Sequence, residues 1–177
     1  MHALIKVPLK FGLVAGVMSV LLMFVLFNYG RHPALIPPFL DFRIIVLLIC
    51  VFFAIREYKE LYNEGFLHFW EGLTIGILTY VILGLIGALF ILVYDAFDNS
   101  YVEYYISGAI EGAEKYREQL INGPQPVKMS EEEFNSHLTA LESTTAGVLA
   151  RDFFIKTCLI GFLIPLLYGA VFRKVDR

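Results

Sequence analysis

Charge is scarce in this 177-residue chain: 18% of the residues are Asp, Glu, Lys or Arg, whereas 58% are hydrophobic. Soluble domains average about 25% charged and about 45–50% apolar residues, so a single soluble domain of this length would leave too much apolar surface in water. Cysteine is nearly absent. Cys50 and Cys158 both lie inside apolar runs, which excludes a disulfide-stapled secreted fold. Their expected depths differ by roughly 15 Å at the rise of an α-helix, too far for the Cα separation of about 7 Å that a disulfide needs. No basic stretch interleaved with aromatics marks a nucleic-acid surface. A Ser/His/Asp set, an HExxH, a P-loop and a paired intramembrane Asp are all missing. No acid lies in the middle of an apolar run, which argues against a proton pump. We therefore expect no enzyme, no cofactor and no bound metal.

What the chain has instead is aromatic and aliphatic side chains: 16 Phe, 10 Tyr and 1 Trp, with a mean hydropathy of +0.67. Four apolar runs organise them into an expected all-α, polytopic membrane protein with spans at about 11–29, 38–56, 72–94 and 153–172. The first run, FGLVAGVMSVLLMFVLFNY, covers roughly 28 Å as a helix, close to a hydrocarbon core of about 30 Å. Lys6 and Lys10 precede it, but Arg31 follows where a signal peptide would carry a small-residue cleavage site. The second run, Ile44 to Ile55, is short and relies on Phe39, Leu40 and an outward-reaching Arg43 to complete its length. Pro33, Pro37 and Pro38 block helix before it. Arg56 and Glu60 at i, i+4 extend it, and Asn63 with Gly65 stops it. Phe66, Phe69 and Trp70 form an aromatic belt at the entry to the third run, the strongest span of the four. In the fourth, Lys156 snorkels and Pro165 kinks the helix without ending it. The deepest polar groups, Ser19, Thr79, Tyr80 and Thr157, are of types that can satisfy themselves within a helix.

Residues 95–152 are an extramembrane insertion in this single membrane domain. A helical stripe runs through Tyr101, Tyr105, Ala109, Gly112, Tyr116 and Leu120, and Asn122-Gly123-Pro124-Gln125-Pro126 breaks it. Ser130 and Glu133 match a capping box opening a second helix with Phe134, Leu138, Leu141 and Val148 on one face. The expectation is a helical hairpin. It holds eleven acids against four bases, a net charge of −7, while the two tails carry +4; the overall −3 is thus a cancellation. The positive-inside rule then places both termini in the cytoplasm and the hairpin outside.

Small residues recur at helical spacing and mark helix-packing faces: Gly12 and Gly16 in the first span, and Gly72, Gly76, Gly84 and Ala88 in the third. They suit packing within the bundle, with homodimerisation as the alternative. Arg43, Arg56, Trp70, Lys156 and Arg173 are expected as interfacial anchors. Glu64, His68 and Glu71 at i, i+4, i+7 could line one face as metal ligands, although Gly65 interrupts such a helix and a solvated cluster is the plainer reading. No internal repeat is present.

Three stretches, KFGLVAG, AIREYKELYNEGFLHFWEGLTIG and FFIKTCLIGFLIPLLYGAVFRK, resemble a family of small four-helix bacterial inner-membrane proteins, typical of Bacteroidota, known only as a domain of unknown function. The resemblance implies the four-span layout and an inner-membrane location, and brings no catalytic residues. The expected role is that of a non-enzymatic structural, interaction or accessory protein whose partners are the bilayer and a second copy or another membrane protein. The alternative is a small oligomeric transporter or channel subunit.

Overall fold

A computed structural model describes residues 3–37, 40–123 and 129–174. Seven helices and no strand occur among these residues: α1 (Ala3–Asn28), α2 (Phe42–Glu57), α3 (Phe69–Phe97), α4 (Ser100–Lys115), α5 (Arg117–Asn122), α6 (Glu131–Glu142) and α7 (Ala146–Val171). Pro38, Phe39, the Pro124–Pro126 part of the expected breaker, Lys128 and Arg177 lie outside the described residues.

The bundle is built around α3, which packs most extensively on α7 and α1, with α2 closing the fourth side. Close approach is what makes this possible. A methyl group added at Gly12 would sit 2.8 Å from Ile82 Cβ, and one at Gly16 would sit 2.9 Å from Ile86 Cβ, so α1 lies almost backbone-to-side-chain against α3. Across the other seam, Gly76 receives the Pro165 ring, Gly161 receives Tyr80, and Gly72 faces Gly169. Pro165 stays inside a continuous α7; its ring fills the notch that Gly76 leaves open.

Three helices, α1, α3 and α7, are long and apolar enough to cross a membrane. Their apolar surface is arranged inside out relative to a soluble bundle. Only 28%, 44% and 22% of the most apolar stretch of each is buried, and Leu13, Val17, Leu21, Leu85, Leu89, Leu159 and Leu163 face outward. Such a belt is stable against acyl chains and unstable against water. The α2 helix is shorter, 16 residues, yet shares the pattern: Ile45, Ile49 and Phe53 point out at i, i+4, i+8, while Val46, Leu47, Cys50, Val51 and Ala54 point in.

Several boundaries depart from the hydropathy reading. The α1 helix starts at Ala3 and runs through Pro8, so Lys6 and Lys10 lie on it rather than ahead of it. Hydropathy marks where a helix enters lipid, not where its hydrogen bonding begins. Lys10 uses that position to reach Glu57 Oε2 at 2.6 Å. At the other end, Gly30 adopts φ +70° and Arg31 N–H donates to Leu26 O at 3.0 Å, a left-handed glycine closure. After α2, a π-turn spans Tyr58–Tyr62, and left-handed Glu64 and Gly65 reverse the chain. Arg56 pairs with Glu60 at 2.9 Å, as its spacing suggests.

The insertion is helical but divided differently from the expected hairpin. Its first stripe breaks at Tyr116 into α4 and α5, and α6 ends at Glu142, so Val148 belongs to α7. The Ser130 capping box forms, with Glu133 N–H donating to Ser130 Oγ at 3.1 Å and Ser130 N–H donating to Glu133 Oε2 at 2.8 Å. Phe134 is fully buried. A second core of Met23, Ile91, Tyr101, Val102, Ala146, Leu149 and Ala150 fuses α4 and the start of α7 to the ends of α1 and α3. The insertion is therefore seated on the bundle, not tethered to it.

Candidate functional site

The seat of the insertion is organised by His32. Its ring is 3% exposed and sits 4.4 Å, centroid to centroid, from the Tyr101 ring, with Phe27, Tyr104 and Tyr105 around it. Ala34 N–H donates to Nδ1 at 3.2 Å, so Nδ1 is the unprotonated nitrogen. Nε2 then carries the hydrogen and donates to Tyr101 O at 3.0 Å. Burial lowers the imidazole pKa to about 4; the Tyr101 carbonyl works against that shift and the nearby Arg43 charge adds to it. Tyr104 Oη donates to Gly30 O at 2.6 Å, a second tie between the insertion and the end of α1.

Beside this seat lies a cavity of about 280 Å³, near the lower end of the range of about 300–1,000 Å³ typical of small-molecule pockets. Its roof is the Pro33–Pro37 segment, and its apolar walls come from Leu47 of α2, Leu83 and Ile91 of α3, and Ile160 of α7. Asp41, Arg43, Tyr101, Asp152, Lys156 and Thr157 supply the polar lining. Asp41 caps α2, its Oδ1 accepting from Arg43 N–H at 2.9 Å. The same carboxylate accepts from Arg43 Nε at Oδ1 and from Nη2 at Oδ2, and Pro33 O accepts from Nη2 at 3.2 Å. The guanidinium stacks 5.1 Å from the centroid of the Phe153 ring. Two donors remain: Arg43 Nη1 and Tyr101 Oη are buried with no hydrogen-bond partner among the described residues. Burial pushes the Tyr101 hydroxyl pKa well above the usual phenol range. Lys156 pairs with Asp152 at 2.6 Å, half exposed at the rim.

This corrects one sequence expectation. Arg43 does not snorkel outward as an interfacial anchor; its side chain is 11% exposed and folds inward, because Asp41 two residues earlier offers a closer counter-charge than the interface does. Arg56 and Trp70 are exposed, as is Arg173. The small residues are found facing their own chain: Gly12 and Gly16 meet α3, Gly72 and Gly76 meet α7, and Gly84 meets Phe154. Ala88 lies against the second core. Reading by spacing missed Gly87, which receives the Phe153 ring; as the neighbour of Ala88 on the strongest span it was within reach of the same small-residue argument. Thr79 Oγ1 donates to Ile75 O at 2.8 Å, but Ser19 Oγ is buried with no partner among the described residues, contrary to expectation.

Glu64, His68 and Glu71 do not share a helical face, since α3 begins only at Phe69. Glu71 instead works as a hub. Its Oε2 accepts from His68 N–H at 2.8 Å and Asn63 Nδ2 at 3.0 Å, and its Oε1 accepts from Tyr58 Oη at 3.0 Å. Burial and this carboxylate push the Tyr58 pKa up to about 12. No cluster of three or more His, Cys, Asp or Glu suited to a metal occurs among the described residues. Cys50 and Cys158 are unbridged.

Together these features define, among the described residues, an all-helical fold with three helices capable of crossing a membrane and a helical insertion seated at one end. The chain belongs to the family described as protein of unknown function (DUF4199), which it matches over residues 10–174. No curated protein and no solved structure matches it.

Proposed function

We propose that the chain is a four-span inner-membrane protein with cytoplasmic termini and its 95–152 insertion on the periplasmic side. In this reading α2 is the remaining span, supported by its outward Ile45, Ile49 and Phe53. The protein acts without catalysing a reaction, as a structural or accessory partner of other membrane proteins. The observation that carries this is the seating of the acidic insertion: the second core and the His32–Tyr101 contact hold α4 and the start of α7, the two ends of a segment whose sequence carries a net −7, against the bundle. A fixed charged platform favours specific docking of a basic partner surface. Because Gly12, Gly16, Gly72 and Gly76 face neighbours in their own chain, the partner surface is the insertion and not the glycine faces. The test is photo-crosslinking in native membranes from a reactive residue at Glu132 or Ser136. Discrete adducts that weaken at high salt support the reading. Absence of both self-association and partner adducts overturns it.

The cavity beside α2 favours a second reading, a small transporter or channel subunit that completes its path as an oligomer. Flux of a solute in proteoliposomes supports that reading, and an impermeable reconstituted protein counts against it.

A further inference from the structure

We propose that the cavity between α2, α3 and α7 binds an anionic amphiphile, with its oxygen-bearing head on Arg43 and Tyr101 and its alkyl chain along Leu47, Leu83 and Ile160. The inference goes beyond an accessory role and rests on which polar capacity is left over. Arg43 has five N–H groups. Asp41 and Pro33 O engage those of Nε and Nη2, leaving both on Nη1. Tyr101 contributes one O–H. Both residues line the same cavity, and both leftover groups are donors set within its wall, so a head group reaches them as the Arg43 and Tyr101 side chains turn toward it. Burying donors unpaired is costly, and more so for a charged one. Their complement is a group with several acceptor oxygens, namely a carboxylate or a phosphate.

The carboxylates of the lining are already paired with cations. Both oxygens of Asp41 are occupied by Arg43, and Asp152 is held by Lys156. An ammonium head would meet the like charges of Arg43 and Lys156, whereas an anionic head meets opposite charge at both. The floor decides the rest of the ligand. Leu47, Leu83, Ile91 and Ile160 offer no partner to a polar tail, and the cavity runs from the Pro33–Pro37 segment between α2, α3 and α7. A membrane lipid and a soluble phosphate share the head chemistry; only the first uses the floor.

The test uses the full chain in a neutral maltoside detergent, with ligand binding read as a saturable rise in the unfolding midpoint. The probes are dodecyl phosphate, dodecanoate, inorganic phosphate and dodecyltrimethylammonium. The expected result is stabilisation by dodecyl phosphate or dodecanoate, little by inorganic phosphate, and none by the cation. Tyr101→Phe keeps the ring and removes only the unpartnered hydroxyl, so the unliganded protein folds as before while the anionic amphiphile binds about tenfold more weakly. Arg43→Lys, which keeps the charge and loses the Nη1 fork, weakens it further. Equal binding of inorganic phosphate would reassign the site to a soluble anion and overturn the amphiphile. Equal stabilisation by the cation, or unchanged affinity in Tyr101→Phe, would overturn the site itself.

Discussion

Mild acid should loosen the insertion from the bundle, and His32 sets where this happens. In the folded protein the ring is buried and neutral, with a pKa near 4 against an ordinary value of 6.5. A group whose folded pKa is depressed contributes stability that is present above the unfolded pKa and is lost as the pH falls through the folded one. The window therefore runs from 6.5 down to about 4. The linkage relation gives a loss of about 2 kcal/mol by roughly pH 5, rising to about 3 kcal/mol near pH 4. Structurally, the second proton would sit on Nδ1, facing Ala34 N–H where an acceptor is needed, and would place a cation beside Arg43. The assay is thermal unfolding in detergent from pH 7.5 to 4, run in parallel with amide exchange in α4, where Tyr101 lies. A His32→Gln variant removes the titration and supplies the control. Wild type should lose stability and α4 protection over this window more steeply than the variant. Parallel curves for the two proteins would refute the reasoning.

Gly76→Leu should destabilise the protein by at least about 2–3 kcal/mol, because the new side chain meets the Pro165 ring, which cannot rotate away. Gly112→Ala, on α4 with open space around it, should instead stabilise by about 0.5–1 kcal/mol, so unfolding midpoints of the pair separate a close-packed glycine from a dispensable one. Ser130→Ala should cost α6 about 1 kcal/mol through the lost cap, seen as faster amide exchange at Glu133. The hydrogen bonds from Ser130 hold the Glu133 carboxyl below its usual range, so that cap persists in mild acid and is lost only when the pH falls through this lowered value.

The long helices were legible in the sequence because each carries a stretch of about eighteen residues of high mean hydropathy with few charges, the pattern of a helix able to cross a membrane. Their ends were less so, since Ala3–Lys10 is helical by hydrogen bonding without being uniformly apolar. The small-residue positions were readable from spacing, but which helix each would meet was not: Gly76 needed Pro165, nearly ninety residues away, to give its contact meaning. The cavity was the least legible part. Asp41 before Phe42-Arg43 is a visible cap signal, yet nothing local tells that Arg43 will fold onto Phe153 or that Tyr101 will arrive beside it. His32 and Tyr101 come from segments with no shared pattern, joined only when the insertion settles on the bundle.

The central claim is that α2 crosses the membrane and so places the two ends of the bundle on opposite faces. Single-cysteine variants at Tyr29, Leu61 and Ser136, built without Cys50 and Cys158, can be labelled in intact cells with a membrane-impermeant maleimide. Tyr29 and Leu61 are highly exposed, and Ser136 lies on the exposed side of α6. Labelling of Tyr29→Cys and Ser136→Cys from outside, with Leu61→Cys protected until the cells are lysed, is the expected result. Labelling of Tyr29→Cys and Leu61→Cys from the same face would contradict it.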